Sequence, residues 1–399
     1  MGAYLEGVRE KVRRLFQTEV TGVMANRIRR LGLIVNPVAG MGGSVGLKGT
    51  DGTGILERAI ALGAEPGSNR RALEALERIL DHRDELEIVT FPGEMGASVS
   101  KRAGFSYSVT GETCSRESTS SEDTVKAARL MLSGGVDIIL FAGGDGTARD
   151  IVSAVGTEIP VIGIPAGVKI HSPVFARNPS VAGDLAKLFL FGPPTGLRDL
   201  EVMDIDEGSF REDRVSTSLF GYLSVPYERS HLQGGKSGSP RNEAVEVDGA
   251  AREAVSRMLP GVLYLVGPGS TTAALMKIVG CPFSLLGVDA VRDGRSLGRD
   301  LSKKEILDMI EPGNTRVIVT VIGGQGFIFG RGNQQIGPEV IRIAGRENII
   351  VLAAPSKLQS LPGRILFVDT GDPSLDKELC GYIRVITGPS EETLMHVRR

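Results

Sequence analysis

The 399-residue chain has only three cysteines, Cys114, Cys281 and Cys380, too far apart for a CxxC pair or any metal-ligand spacing. So sparse and odd a count excludes a disulfide framework and suits a reducing compartment. No apolar run approaches ~18 residues, so the sequence predicts no membrane span. Neither sign of charge is in excess. Lysine plus arginine total 46 and aspartate plus glutamate 48, a net charge of −2, without the basic surplus that a dedicated nucleic-acid binder carries. Residues 1–30 are charged throughout and lack the apolar core of a signal peptide. Within them the spacing of Leu5, Val8, Val12 and Leu15 predicts an amphipathic helix. The expectation is a soluble cytoplasmic protein with neither a nucleic-acid nor a membrane partner.

Glycine is abundant, with 53 residues. It has no three-residue period, which excludes collagen, and recurrent apolar runs such as Asp137-Ile138-Ile139-Leu140-Phe141 exclude a disordered chain. The length predicts more than one domain.

Strand and helix signals alternate in the first half. Leu31–Asn36, Leu86–Phe91, Val136–Ala142 and Pro160–Ile164 read as strands, and Arg70–Leu80 and Ser121–Leu132 as helices, Asp123 standing in the first turn of the second. Nearly unbroken apolar strands alternating with helices predict a parallel sheet covered on both faces. Beyond a boundary placed near residue 200 the pattern changes. Short alternating segments at Leu200–Tyr227 suggest hairpins, followed by a polar loop at Gln233–Arg241 and a helix at Asn242–Met258. Further strands are predicted at Leu263–Val266, Leu285–Val288, Arg316–Ile322, Ile349–Ala353, Ile365–Asp369 and Tyr382–Ile386. The fold class is therefore α/β, with an N-terminal Rossmann-like parallel-sheet domain (1–200) and a mainly β C-terminal domain (201–399).

The strongest chemical signal is Phe141-Ala142-Gly143-Gly144-Asp145-Gly146-Thr147, directly after an apolar strand and before a helix. Ligands gather at the carboxyl ends of parallel strands. Glycines there let backbone N–H groups approach a phosphate, and the following helix adds the positive end of its dipole. Asp145 stands inside this anion cradle, where a carboxylate is repelled unless it binds a metal or accepts a proton from an attacking hydroxyl. The rival reading is a tight turn with Asp145 as a helix cap. In the second half, Gly267-Pro268-Gly269-Ser270-Thr271-Thr272-Ala273 joins a strand to a helix and offers three hydroxyls at the helix start, to a phosphate or ribose or simply as caps.

These residues carry a resemblance. GGDGT, preceded by Asn36-Pro37 with Gly40 and followed by Gly163-Ile164-Pro165-Ala166-Gly167-Val168-Lys169, resembles the NAD kinase and diacylglycerol kinase superfamily. From about residue 30 onward the chain is similar to the prokaryotic ATP-NAD kinase-like group, through Leu285–Asp289 and Gly323–Gln335 as well. The Gly267–Ala273 turn shares its Pro, its Gly-Ser-Thr run and its Ala with a turn of NAD kinases. The resemblance implies phosphoryl transfer from ATP or polyphosphate to the 2′-hydroxyl of NAD, with Mg2+ or another divalent cation. Asp145 would accept the hydroxyl proton, Gly143, Gly144, Gly146 and Thr147 would cradle phosphates, and Gly269, Ser270, Thr271 and Thr272 would hold the dinucleotide. Asn36 and Gly167 join the nucleotide-binding set by position. The superfamily also implies a homo-oligomer acting on small-molecule nucleotides. The metal ligands are not assigned.

Some residues depart from that pattern. NAD kinases grip the adenosine ribose with an Asn-Glu or Asn-Asp pair, and the one tempting match, Asn242-Glu243, reads as a helix start. Ile164–Ser172 replaces the usual Gly-Ile-Asn-x-Gly turn, which keeps open a sugar, polyol or lipid acceptor, or a non-catalytic nucleotide-binding accessory protein. The loop Gly40–Gly52 holds no GxxxxGK[ST] and is not a P-loop. Lys48 and Lys169 are the cations nearest the expected phosphates. Arg331 has the bidentate geometry that suits phosphate, and Gln334 and Gln335 suit a base or sugar, with a turn cluster as the alternative. Asp289 and the pair Asp369 and Asp372 read equally as cleft carboxylates or turn formers. His171, near the GGDGT end of the sheet, is the histidine best placed to touch substrate; His82, His231 and His396 have no partner pattern. Five segments totalling 59 residues (31–54, 141–147, 163–169, 267–272 and 323–337) hold 21 of the 53 glycines. The excess thus marks a site at strand ends more than general flexibility.

Overall fold

A computed structural model describes residues 28–47, 54–114, 119–168, 170–205, 217–227, 242–322 and 325–399. The predicted helix over the first residues, the polar loop after 227, Lys48, Lys169 and His231 lie outside the described residues.

Five parallel strands form the first sheet: β1 (Arg29–Val35), β2 (Leu86–Thr90), β3 (Ser106–Val109), β4 (Ile138–Gly143) and β5 (Val161–Pro165), in the order β3-β2-β1-β4-β5. Every residue of β4 is buried, because helices cover both faces of the sheet. Ser68–Glu77 packs with Pro179–Phe191, and Ser121–Ser133 with Asp145–Val155. Local chemistry sets the helix starts. Ser120 and Asp123 form a reciprocal capping box, and the Asn178 side chain accepts the Val181 N–H. The short edge strand β3 escapes the sequence pattern because three of its four residues are exposed.

The strand order reverses between β1 and β4, so the chain leaves these neighbours in opposite directions and opens a crevice at their carboxyl ends. The register Val35↔Ala142 places Asn36 and Gly143 side by side at its mouth.

The second half is built around a nine-stranded mixed sheet. Its strands are β8 (Leu263–Val266), β9 (Asp289–Arg292), β10 (Arg295–Gly298), β11 (Thr315–Thr320), β12 (Phe327–Phe329), β13 (Ile349–Leu352), β14 (Ile365–Val368), β15 (Gly381–Gly388) and β16 (Glu391–Arg398). They run in the order β10-β9-β8-β11-β13-β15-β16-β14-β12. The expected strand at Leu285–Val288 is displaced to β9, since the preceding residues form a bend tied down by Asp289. Between the sheets, β6 (Leu197–Ile205) and β7 (Thr217–Pro226) form one antiparallel hairpin. Its buried Val202, Leu223 and Val225 join the core of the first sheet rather than the second, although all three lie beyond residue 200.

Candidate functional site

The GGDGT turn occupies the crevice. Asp145–Val155 is an 11-residue helix entered through Gly144 in extended conformation, so the N–H groups of its first turn stand beside the end of β4. Asn36, half-buried at the end of β1, donates its Nδ2–H to Thr147 Oγ1 at 3.0 Å and accepts the Val38 N–H at 3.2 Å on Oδ1. The Asn-Pro turn and the GGDGT helix are thereby tied by one side chain, and Thr147 is buried.

Asp145 is buried, and each of its carboxylate oxygens is held by a backbone donor. His171 N–H reaches Oδ2 at 2.8 Å and Ser172 N–H reaches Oδ1 at 3.0 Å. The His171 ring also faces the carboxylate, with Nδ1 3.4 Å from Oδ2. A lone histidine carries no spacing signal, and only the fold brings His171 to Asp145.

The loops after β4 and β5 approach backbone to backbone. Gly143 O accepts the N–H groups of Ala166 (2.8 Å) and Gly167 (3.0 Å), so the Gly167 N–H is committed within the protein. Gly40 has φ +77°, and a Cβ there would lie 2.0 Å from Ala166 O; the glycine of the Asn-Pro turn is needed to let that loop settle on the β5 turn.

The second anchor follows β8. Gly269, at φ +136°, precedes the helix Ser270–Val279; Ser270 is exposed, whereas Thr271 and Thr272 are each 1% exposed. Thr272 donates its hydroxyl back to Gly269 O at 3.0 Å, which leaves Ser270 as the accessible hydroxyl of the three. The 325–336 segment links the two anchors. Gly332 N–H and Gln334 Nε2 both donate to Val168 O (3.0 and 2.7 Å), and Gln325 Nε2 donates to Ile170 O at 2.7 Å. Ile336 of the same segment packs near Gly267.

Arg331 does not present itself to this crevice. It is 3% exposed and shares Asp369 with Arg71: Arg331 Nη1 lies 2.7 Å from Asp369 Oδ2, and Arg71 closes on the same oxygen. Arg331 also donates to Arg177 O at 2.8 Å and stacks over Phe327. Its guanidinium is engaged by one carboxylate and by backbone carbonyls inside the protein. Burial and the neighbouring charge of Arg71 hold its guanidinium below the ordinary value despite the pull of Asp369. Burial pushes Asp369 up, but the two guanidiniums outweigh that and hold its carboxyl below the usual range. Arg71, which nothing in the sequence singles out, also donates to Pro165 O at the end of β5, so this triad clamps the second half onto the site.

The other candidates resolve into structural roles. Asp289 accepts the Ser284 (2.6 Å) and Asp300 (3.0 Å) N–H groups, and burial raises its pKa. Asp372 caps the helix Pro373–Leu379. Asn242-Glu243 begins the helix Asn242–Ser256, in line with its reading as a helix start. Gln335 is buried, His82 stacks on Phe191, and His396 lies against Tyr382. Among the described residues no group of three or more His, Cys, Asp or Glu is placed to hold a metal ion, and no helix is long and apolar enough to cross a membrane.

Residues 31–192 match the ATP-NAD kinase N-terminal domain, and residues 259–397 the ATP-NAD kinase C-terminal domain. "Acetoin catabolism protein X" of Cupriavidus necator is 34% identical over 99 residues, covering 23% of this chain and 27% of that protein. The match thus spans about a quarter of that relative's length. A solved structure described as a diacylglycerol kinase from Bacillus anthracis str. Sterne is 16% identical, covers 45% of this chain and 48% of its own, and has a TM-score of 0.23. A second chain from that organism, also 16% identical, covers 45% and 43% with a TM-score of 0.25.

Proposed function

We propose that this chain, which belongs to the ATP-NAD kinase family, phosphorylates the 2′-hydroxyl of NAD to give NADP, with ATP or polyphosphate as donor. The observation that carries the reading is Asp145, a buried carboxylate at the first turn of the GGDGT helix and at the switch point of the sheet. Phosphoryl transfer asks a protein mainly for positioning and for neutralisation of charge, with one group to take the nucleophile's proton. Backbone N–H groups of Gly144, Gly146 and Thr147 supply the first, and Asp145 the second. Asn36 fixes Thr147, and exposed Ser270 is the proposed hydroxyl contact for the dinucleotide. Lys169 is the proposed cation for the donor phosphates.

Among the described residues no three His, Cys, Asp or Glu side chains come together to hold a resident metal. A divalent cation would arrive with the nucleotide, bound chiefly by its phosphates, as Mg2+ often is. A homo-oligomer is proposed too, supported by the exposed Leu219, Phe220 and Tyr222 on β7. A cytoplasmic location fits the cysteine count.

A second acceptor class is favoured by one observation. The turn that departs from NAD kinases, Pro165–Gly167, is the one packed directly on Gly144, where an acceptor would be shaped. Incubating the protein with ATP and magnesium and then adding NAD, NADH or small polyols in turn separates the two. Acceptor-dependent ADP release is expected with NAD, whereas release with a polyol alone would transfer the assignment to that class.

A further inference from the structure

Asp145 is held unequally on its two oxygens. Oδ1 has one donor, the Ser172 N–H at 3.0 Å; Oδ2 has the His171 N–H at 2.8 Å and, in addition, His171 Nδ1 at 3.4 Å. That ring nitrogen is buried and makes no hydrogen bond. Were it to carry a lone pair, two electron-rich atoms would face each other in a site where repulsion is poorly screened. With a hydrogen on Nδ1 the two groups attract instead, and a small closing of the 3.4 Å approach gives the buried nitrogen the partner it lacks.

We propose that His171 is a positioning residue for the phosphoryl transfer: its Nδ1–H holds Oδ2 of Asp145, leaving Oδ1 as the atom that takes the acceptor's proton. This rests on reading Asp145 as the proton acceptor. In the step, the acceptor O–H bond breaks and its hydrogen passes to Oδ1. The acceptor oxygen forms the new bond to phosphorus, and the bridging P–O bond of the donor breaks with its electron pair kept by the departing phosphate.

The segment carrying His171 is fixed on both sides, as a positioning role requires. Ile170 O accepts from Gln325 Nε2 at 2.7 Å, and Ser172 Oγ accepts the Met203 N–H at 2.9 Å. His171 and Asp145 side chains are only 13% and 6% exposed, so water does not substitute freely for the imidazole.

Two measurements test the pairing. The chain has four histidines, so ring 15N signals can be assigned by single substitution. His171 is expected as the Nδ1–H tautomer, with ring signals that move in Asp145→Ala while those of His82 and His396 stay. In steady-state assays His171→Leu is expected to lower kcat by about 10- to 100-fold with nucleotide KM unchanged, the cost of a misplaced reacting group. His171→Asn, which puts an N–H near the Nδ1 position, is expected to recover most of that loss. An Nε2–H tautomer in the wild type, or an Asn variant no better than Leu, overturns the proposal. If the wild type phosphorylates no acceptor, the kinase reading fails, and the tautomer measurement still decides the pair.

Discussion

Gly167 lies with its backbone against that of Gly144: a Cβ built on Gly167 would sit 2.7 Å from Gly144 Cα. The loops after β4 and β5 therefore meet main chain to main chain, directly beside Asp145. Glycine at 167 is explained by this contact, and its N–H, already given to Gly143 O, is not needed to explain it.

Gly167→Ala is accordingly expected to push the two loops apart. Overpacking a tight contact costs about 1–3 kcal/mol, and the shift falls on the residues that aim Asp145. Urea denaturation is expected to show that loss, with a fall in kcat. Gly67→Ala is the control, because nothing lies within 4 Å of its added Cβ and its φ is −112°; its midpoint is expected to stay close to wild type.

The Arg71–Asp369–Arg331 triad makes a second prediction. Asp369→Asn leaves two buried guanidiniums facing each other, and removing one member of a buried ionic group typically costs about 3–5 kcal/mol. Arg331→Met still leaves Arg71 paired with Asp369 and is expected to cost much less, with nucleotide KM unchanged. A tenfold or greater rise in KM for Arg331→Met would return Arg331 to the phosphate-binding residues.

Acid sensitivity follows from the same group. Asp369 has its carboxyl depressed below the ordinary 3.8 in the folded protein. Depression of a folded-state pKa contributes stability that is fully present above the unfolded value and is lost as pH falls through the folded one. Unfolding free energy is expected to fall on acidification below about pH 4, and more shallowly in Asp369→Asn. Equal slopes in the two proteins would place the acid-sensitive group elsewhere.

Much of the site could be read from the sequence because its signals are local. An apolar strand followed by GGDGT places Asp145 at a strand end, and the Asn-Pro turn places Asn36 beside it, before any tertiary contact is known. Periodicity located β1, β2, β4 and β5 because their faces are buried, and missed β3 because its face is not. Arg331 shows the limit of such local signals. Its partners Asp369 and Arg71 lie 38 and 260 positions away, and no pattern of spacing reports that a guanidinium has been taken up by a distant carboxylate. The same is true of His171 and Asp145, 26 positions apart and joined only when the β5 turn folds back over the GGDGT helix. Mixed pairing in the second sheet was equally hidden, since parallel and antiparallel neighbours produce similar apolar runs.

The most direct test of the central claim is NADP formation from ATP, magnesium and NAD by the wild type and by Asp145→Asn, compared at equal folded concentration. The wild type is expected to form NADP, and Asp145→Asn to lose at least about 100-fold in kcat, the scale of general-base assistance, while still binding nucleotide. No NADP from the wild type, or equal rates from the two proteins, would contradict the assignment of Asp145 as the proton acceptor of an NAD kinase.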